Sequence, residues 1–434
     1  MASNPKTETS LARTGVVVTG LGAVSPLGVG VRAYVGGCRE GRSGVRPLGF
    51  ADHRIRSTAG AMCPEFDPSG VMSLAEQARL PKLIPMALAA CREALAEAGF
   101  DPRERDSSDV GLLLGTGAGG IDFTLDQAAV GHAGKRPSLW TITNATHGNL
   151  AGELSIGLGL HGPSMCVSDG CASASDAVGL AMELLRSDRP GAPRAMVVVG
   201  ADAHVRWETL LGMELLRVIS TRDVSGTPDL APRASRPFDV SRDGFILGEG
   251  AWAVVLEREV FAREREAKVI GRMLGYGSTC DAFHRVRPAP DMLHSARAIS
   301  LAIADAGVEA RQIEMVHYHG TATKLNDELE TQAVKLAFGD HAPRLVGHSV
   351  KGAIGHPQGA CGLAALVCTL GALVGADGGP AFAPPTINLH EPDPACDLDY
   401  TPNESRPTGA RTALINCLAF GAKNSALVVR AGDA

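Results

Sequence analysis

At 434 residues, with 45% apolar and 20% charged side chains, the chain is too apolar to be disordered and long enough for two domains or two closely packed halves. A net charge of −6 gives no support for nucleic-acid binding, although it is compatible with a local basic patch for an acidic partner. The first predicted element is a buried strand in the β-branched run Gly15 to Gly20, followed by a helix from about Pro81 to Ala98 and a second strand from Val110 to Gly115. Cys171 to Leu185 has helical spacing, and Met196 to Gly200 and Ala251 to Leu256 read as buried strands. In the second half, a helix over Ser295 to Ala306 is followed by a strand at Met315 to His319 and a helix at Asp327 to Phe338. An uncharged stretch, Gly359 to Ala376, then precedes strands at Thr412 to Leu418 and Ala426 to Val429. Strands alternating with helices point to α/β layers.

Gly359 to Ala376 raises the question of a membrane span, but it is rich in Ala, Gly and Cys and lacks aromatic or basic anchors, so a buried central helix accounts for it better. A second helix of small, sparsely charged residues lies at 171–185, and each of the two starts at a Gly-containing turn that carries a reactive residue type. Two such helices would sit between sheets in a five-layer α-β-α-β-α arrangement. The ten cysteines show no CxxC pair, and Cys166, Cys361, Cys368 and Cys417 lie in apolar runs and read as small core residues. The first fourteen residues are polar and of mixed charge, without the apolar core of a signal peptide, so a cytoplasmic chain with no disulfide framework is expected.

Cys171, in Val167-Ser168-Asp169-Gly170-Cys171-Ala172-Ser173, sits where an extended segment becomes a helix. Unpaired N–H groups at a helix start lower a thiol pKa from about 8.5 to roughly 3.5–7.5, so this cysteine is the candidate nucleophile. His319 ends a strand in His317-Tyr318-His319-Gly320-Thr321-Ala322-Thr323; a metal pair with His317 is conceivable, but no third ligand is nearby. His356 lies in the Gly-rich turn Lys351-Gly352-Ala353-Ile354-Gly355-His356-Pro357. One helix-start Cys and two turn-borne histidines suggest nucleophilic acyl transfer with stabilisation of developing negative charge.

With these residues in place, the sequence resembles the β-ketoacyl-acyl-carrier-protein synthases, the elongating ketosynthase II type of fatty-acid and type II polyketide systems. The likeness covers almost the whole chain: Val18-Thr19-Gly20-Leu21-Gly22, Gly162-Pro163-Ser164, Ser235-Arg236-Pro237-Phe238-Asp239, Arg242-Asp243-Gly244-Phe245, Gly248-Glu249-Gly250, His319-Gly320-Thr321, Asp327 with Glu330, Lys351, Gly355-His356, and Phe420-Gly421 with Asn424. The resemblance implies a thiolase-like fold of two similar halves, here 1–255 carrying the nucleophile and 256–434 carrying both histidines. It also implies an acyl group on Cys171, an oxyanion hole from the N–H groups of Cys171 and Phe420, and a malonyl thioester held by His319 and His356 as carbon dioxide leaves. Lys351 would pair with Glu330, Thr321 and Thr323 would contact pantetheine, and Phe420 would gate the two half-reactions. No metal or dissociable cofactor is implied, and the partners would be an acyl carrier protein and a second ketosynthase-like chain, identical or lacking the Cys.

Three positions depart from the family's pattern. Asp169-Gly170 stands where Thr-Ala is common, Ala422-Lys423 where Gly-Thr is usual, and Ala118 where a larger aliphatic residue lines the acyl pocket. A carboxylate two residues before a thiolate opposes its ionisation. Either Asp169 and Lys423 form a compensating pair, or Asp169 is an N-cap and Lys423 is solvated. Ala118 suggests a wider acyl tunnel. Arg79 and Lys82 are candidates for docking an acidic carrier protein. Retention of Cys171, His319 and His356 weighs against a chain-length partner subunit and against a non-condensing acyltransferase. Gly20-Leu21-Gly22 lacks the correctly placed third glycine of a nucleotide-binding loop.

Overall fold

The computed structural model describes residues 14–50, 54–104 and 106–432; the polar residues 1–13 lie outside it. The first strand, β1 (Val16–Ser25), is buried throughout and runs five residues beyond its expected end at Gly20. Gly20 and Gly22 do not break it. A Cβ on either would lie 1.9 Å from the carbonyl oxygen of Ala94 or Ala90, so the missing side chains let the helix α1 (Leu83–Glu97) rest directly on the strand.

The chain continues through β2 (Val110–Gly115), α2 (His147–Leu158), β3 (Ser164–Val167), α3 (Ser173–Arg186), β4 (Ala195–Asp202) and β5 (Gly250–Arg258). The second half runs β6 (Gly271–Cys280), α4 (Leu293–Asp305), β7 (Met315–His317), α5 (Lys324–Phe338), β8 (Val346–His348), α6 (Cys361–Val374), β9 (Thr412–Ala419) and β10 (Lys423–Ala431). The main sheet has the order β8-β7-β9-β10-β6-β1-β5-β4-β2-β3, with Gly28–Val29 added beside β1. Read from each outer edge inward, both halves follow the same sequence: third strand, second, fourth, fifth, first. The second strand is parallel to the third and fourth, and the remaining pairs are antiparallel in both halves. β1 and β6 join the halves through Val16–Val18 paired with Gly271–Met273. The division expected at residue 255 falls inside β5; the repeated strand order puts it in the connection between Arg258 and Gly271.

The layers follow from alternation along the strands. Leu112, Leu114, Val197 and Val199 face α1 and α2, whereas Leu113, Met196 and Val198 face the opposite side, where α3 and α6 pack. Ile415, Leu427 and Val429 of the second half reach the same central helices, and Leu414, Ala426 and Val428 face α4 and α5. This is the expected five-layer thiolase-like arrangement. α6, at 14 residues, spans only about 21 Å. It is a central core helix, and among the described residues no helix is long and apolar enough to cross a membrane.

β3, β6 and β8 were not anticipated. In β6, Gly275 and Gly277 repeat the device seen in β1: an added Cβ would lie 2.1 and 2.2 Å from the carbonyl oxygens of Ala302 and Ala298 on α4.

Candidate active site

Cys171 lies in a single 3-10 turn, Gly170–Ala172, that leads into α3. Its Sγ is buried, 3.1 Å from His356 Nε2 and 3.7 Å from Gln358 Oε1. His356 is carried by the turn before α6, where its N–H donates to Ile246 O (2.7 Å), its carbonyl accepts from Gly248 N (3.1 Å), and Phe245 meets its ring edge-on. His319 follows β7, and its ring stands 5.2 Å from that of His356, nearly perpendicular to it. The Cys171 sulfur and one nitrogen from each ring lie within 4.8 Å of one another. The three residues expected to act together are therefore brought together.

His319 is held from both sides. Lys351 Nζ donates to His319 O (2.5 Å) and approaches its Nδ1 (3.3 Å). An ammonium has only donors, so Nδ1 accepts and the ring's proton sits on Nε2. Glu330 accepts from His319 N (2.6 Å), Gly320 N (2.8 Å) and Asn416 Nδ2 (2.7 Å). The expected Lys351–Glu330 pair does not form: three N–H donors occupy the carboxylate, and the lysine binds the other side of the His319 peptide. Arg242 fixes the start of α5 by donating to Thr323 O and Lys324 O and by bridging Asp393 (2.6 Å). Within this segment Thr323 Oγ1 caps the helix through Asn326 N and lies 3.0 Å from Thr321 Oγ1.

A carboxylate that sequence reasoning missed ties the two halves of the site together. Asp202, fully buried at the end of β4, accepts from Thr116 Oγ1 (2.7 Å), Gly117 N (3.0 Å), Ala118 N (2.9 Å) and Gly359 N (2.7 Å). The turn after β2 is thereby clamped to the turn that carries His356. A Cβ on Gly359 would sit 2.1 Å from Gly117 N, so only glycine allows this approach. Ala118 lies in the clamped turn and is not among the residues lining the cavity that reaches Cys171.

Burial dominates the electrostatics. It pushes His319 down to about 3, assisted by the Lys351 charge, and also lowers His356, so both rings are neutral at neutral pH. Burial raises Glu330 to about 7 despite its three donors. It also raises the Cys171 thiol, with nearby Cys361 adding to the effect, while Lys351 and the Phe420 N–H act in the opposite direction. The expected lowering by the helix start is outweighed because the sulfur is shut away from water. The thiol rests protonated beside a neutral imidazole that can take its proton.

A cavity of about 590 Å³ reaches Cys171, His319 and His356 and is also lined by Thr321, Thr323 and Phe420. Its exposed lining includes Arg217, Arg287 and Lys324, with one carboxylate, Asp243. Arg79 and Lys82 are not part of it, and Lys82 is drawn to the buried Glu249 at 2.6 Å. Phe420 forms the tip of the β9–β10 hairpin, which turns through Gly421 and Ala422 in left-handed backbone. Beside that tip Lys423 pairs with Asp169, so the compensating pair is present and Asp169 makes no side-chain cap. His317 does not join the site; it packs against His348 at 4.6 Å. Cys361 and Cys417, read as inert core residues, both donate to the Cys171 carbonyl, at 3.2 and 3.0 Å.

Comparison with known proteins agrees with this geometry. Residues 13–262 match the family profile described as beta-ketoacyl synthase, N-terminal domain, and residues 270–390 match the C-terminal domain of the same family. The 3-oxoacyl-[acyl-carrier-protein] synthase 2 of Synechocystis sp. is 35% identical, over 97% of this chain and 99% of its own length. Nodulation protein E of Rhizobium meliloti is 33% identical over 96% and 98%. Among solved structures, the ishigamide ketosynthase/chain length factor superposes with a TM-score of 0.86 at 30% identity, covering 97% of this chain and 100% of that one. A type II PKS ketosynthase in complex with its acyl-carrier protein and bound to the hexaketide gives the same TM-score at 27% identity, covering 97% and 100%. The two profile matches and the near-full-length relatives, on a twice-repeated α/β half that brings a buried thiol to two neutral imidazoles, place this chain in the beta-ketoacyl synthase family.

Proposed function

We propose that the protein catalyses decarboxylative Claisen condensation of an acyl thioester with malonyl-acyl-carrier protein, in type II polyketide or fatty-acid biosynthesis. The observation that carries this reading is the convergence of the Cys171 sulfur and both ring nitrogens within 4.8 Å. In the first half-reaction His356 Nε2 takes the thiol proton, and the thiolate attacks the carrier-bound acyl carbonyl. The tetrahedral oxyanion is held by the N–H groups of Cys171 and Phe420, and the proton passes to the departing pantetheine thiol. In the second, malonyl thioester enters and its carbonyl oxygen accepts from His319 Nε2–H and from His356, whose single ring proton moves to Nε2 once Cys171 is acylated. Carbon dioxide leaves, the resulting enolate attacks the acyl carbon on Cys171, and the sulfur departs as a thiolate that takes up a proton from solvent through His356. Neutral rings suit this step, because they donate hydrogen bonds that strengthen as negative charge develops.

Thr321 and Thr323 line the cavity where pantetheine would pass, and the cations Arg217, Arg287 and Lys324 suit its phosphate and an acidic carrier. Ala118, in the turn clamped by Asp202 and outside the lining of this cavity, is the proposed determinant of a separate acyl pocket. The first half, through Arg258, supplies the nucleophile and the second supplies both histidines. β3 leaves one edge unpaired, with Met165 exposed, which suits a dimer with an identical or ketosynthase-like chain. Ten unbridged cysteines suit the reducing cytoplasm.

The test is incubation with acyl- and malonyl-carrier protein, reading carbon dioxide, the β-keto product and the intact mass of the enzyme. The expected result is an acyl adduct on Cys171 and product formation, both lost in Cys171→Ser. Product formation that survives this substitution overturns the proposal.

A further inference from the structure

Behind the nucleophile two more thiols and a ring nitrogen converge. Cys361 Sγ, at the start of α6, is 3.7 Å from Cys417 Sγ on β9, and Cys417 Sγ is 3.6 Å from His319 Nδ1. All three residues are buried, and the three donor atoms lie within 4.8 Å of one another. A tetrahedral zinc ion takes sulfur at about 2.3 Å and imidazole nitrogen at about 2.0–2.1 Å, which sets its ligand edges at roughly 3.8 Å for S···S and roughly 3.6 Å for S···N. The S···S and S···N separations here have these lengths. The Cys171 carbonyl oxygen, 3.2 and 3.0 Å from the two sulfurs, is the fourth donor at hand.

We propose that Cys361, Cys417 and His319 form an inhibitory site for a thiophilic divalent cation, of which Zn²⁺ is the biological form. Binding releases two thiol protons and leaves two metal–thiolate bonds and one metal–imidazole bond. The Lys351 ammonium, 3.3 Å from the same His319 nitrogen, competes with the ion. The site therefore acts as a brake that metal must overcome lysine to apply, not as the seat of a resident cofactor. An ion on Nδ1 takes the place of the Lys351 hydrogen bond and locks the ring to the two thiolates, so it cannot adjust to hold an enolate oxygen. The inhibition, though not the binding, rests on the part given to His319 in the proposed reaction.

The probe is Cd²⁺ alone, added to the reduced full-length chain and followed by its thiolate-to-metal charge-transfer absorption and by cadmium NMR. One equivalent is expected to bind with a two-thiolate, one-imidazole signature, to abolish condensation, and to be reversed by a chelator. The band is expected to persist in Cys171→Ser, to fall at least about 100-fold in affinity in Cys361→Ala and Cys417→Ser, and to strengthen in Lys351→Met. Absence of the band in the unmodified chain overturns the site without needing any variant, as does a band that survives in both cysteine variants. Stoichiometric binding with condensation unchanged overturns the inhibition and leaves the metal site standing.

Discussion

Replacing Glu330 by Gln isolates the electrostatic cost of one buried carboxylate. Glu330 rests at about 7 because burial outweighs its three N–H donors, against an ordinary value of 4.5. Below 4.5 the group is neutral in both folded and unfolded chains and costs nothing. Between 4.5 and 7 the unfolded chain gives up the proton while the folded chain keeps it, so stability falls as pH rises; above 7 the full cost is present. At roughly 1.4 kcal/mol per pH unit, that interval amounts to about 3 kcal/mol. Gln cannot ionise, but one of its amide hydrogens must face an N–H donor, a pH-independent penalty of about 1–3 kcal/mol. The difference in stability between variant and parent should therefore move in the variant's favour by about 3 kcal/mol from about pH 4.5 to about pH 8, because the buried histidines cancel in the comparison. Urea midpoints of both proteins across that range measure it. A variant deficit that grows with pH would mean that Glu330 is held below 4.5 as the ionic partner of Lys351, and the reasoning fails.

Lys351→Met removes the donor that fixes the His319 tautomer; condensation is expected to drop by about 10²–10³ while acylation of Cys171 changes by less than about threefold, read by carbon dioxide release and intact mass respectively. The same substitution removes a positive charge that depresses His319, so the acid limb of the condensation profile should move to higher pH. Asp169→Asn leaves Lys423 unopposed near the sulfur and should speed alkylation of Cys171 a few-fold, Lys423→Met should slow it, and the double variant should return near the parent rate. Because both partners are about one-third exposed, the pair itself should contribute under about 1 kcal/mol to stability by double-mutant cycle. Ala118→Ile should reduce turnover of rigid acyl primers more than straight ones of equal length; equal losses would remove Ala118 from the acyl pocket.

Some of this was legible because local chemistry and position agreed. Cys171, His319 and His356 all lie where regular structure ends in a Gly-bearing turn, and those ends converge because the two halves place their second-strand and central-helix termini alike. β2 was read to its correct ends because its uninterrupted buried apolar run stops at the Gly-rich turn that follows Gly115. Asp202 escaped notice because its partners, three backbone N–H groups and the Thr116 hydroxyl, belong to two remote turns. β6 was hidden by Gly275 and Gly277, which resemble turn signals unless the helix lying against them is known. Lys82 looked like a free surface cation, yet a buried carboxylate 167 positions away binds it. Cys361 and Cys417 sit in apolar runs, as inert cysteines do, and only tertiary structure brings their sulfurs to the nucleophile's carbonyl.

The seam between β1 and β6 leaves little room for the two halves to swing against each other, since one hydrogen-bonded sheet runs through both and glycine-seated helices brace it on either side. Accepting one carrier arm, releasing it and admitting another must then be timed by something much smaller. The three-residue tip holding Phe420 is such a part, with Ala422 kept in a backbone conformation that disfavours a side chain by roughly 1–2 kcal/mol. In the proposed reaction, a stiff frame with one sprung corner leaves that timing to the Phe420 ring.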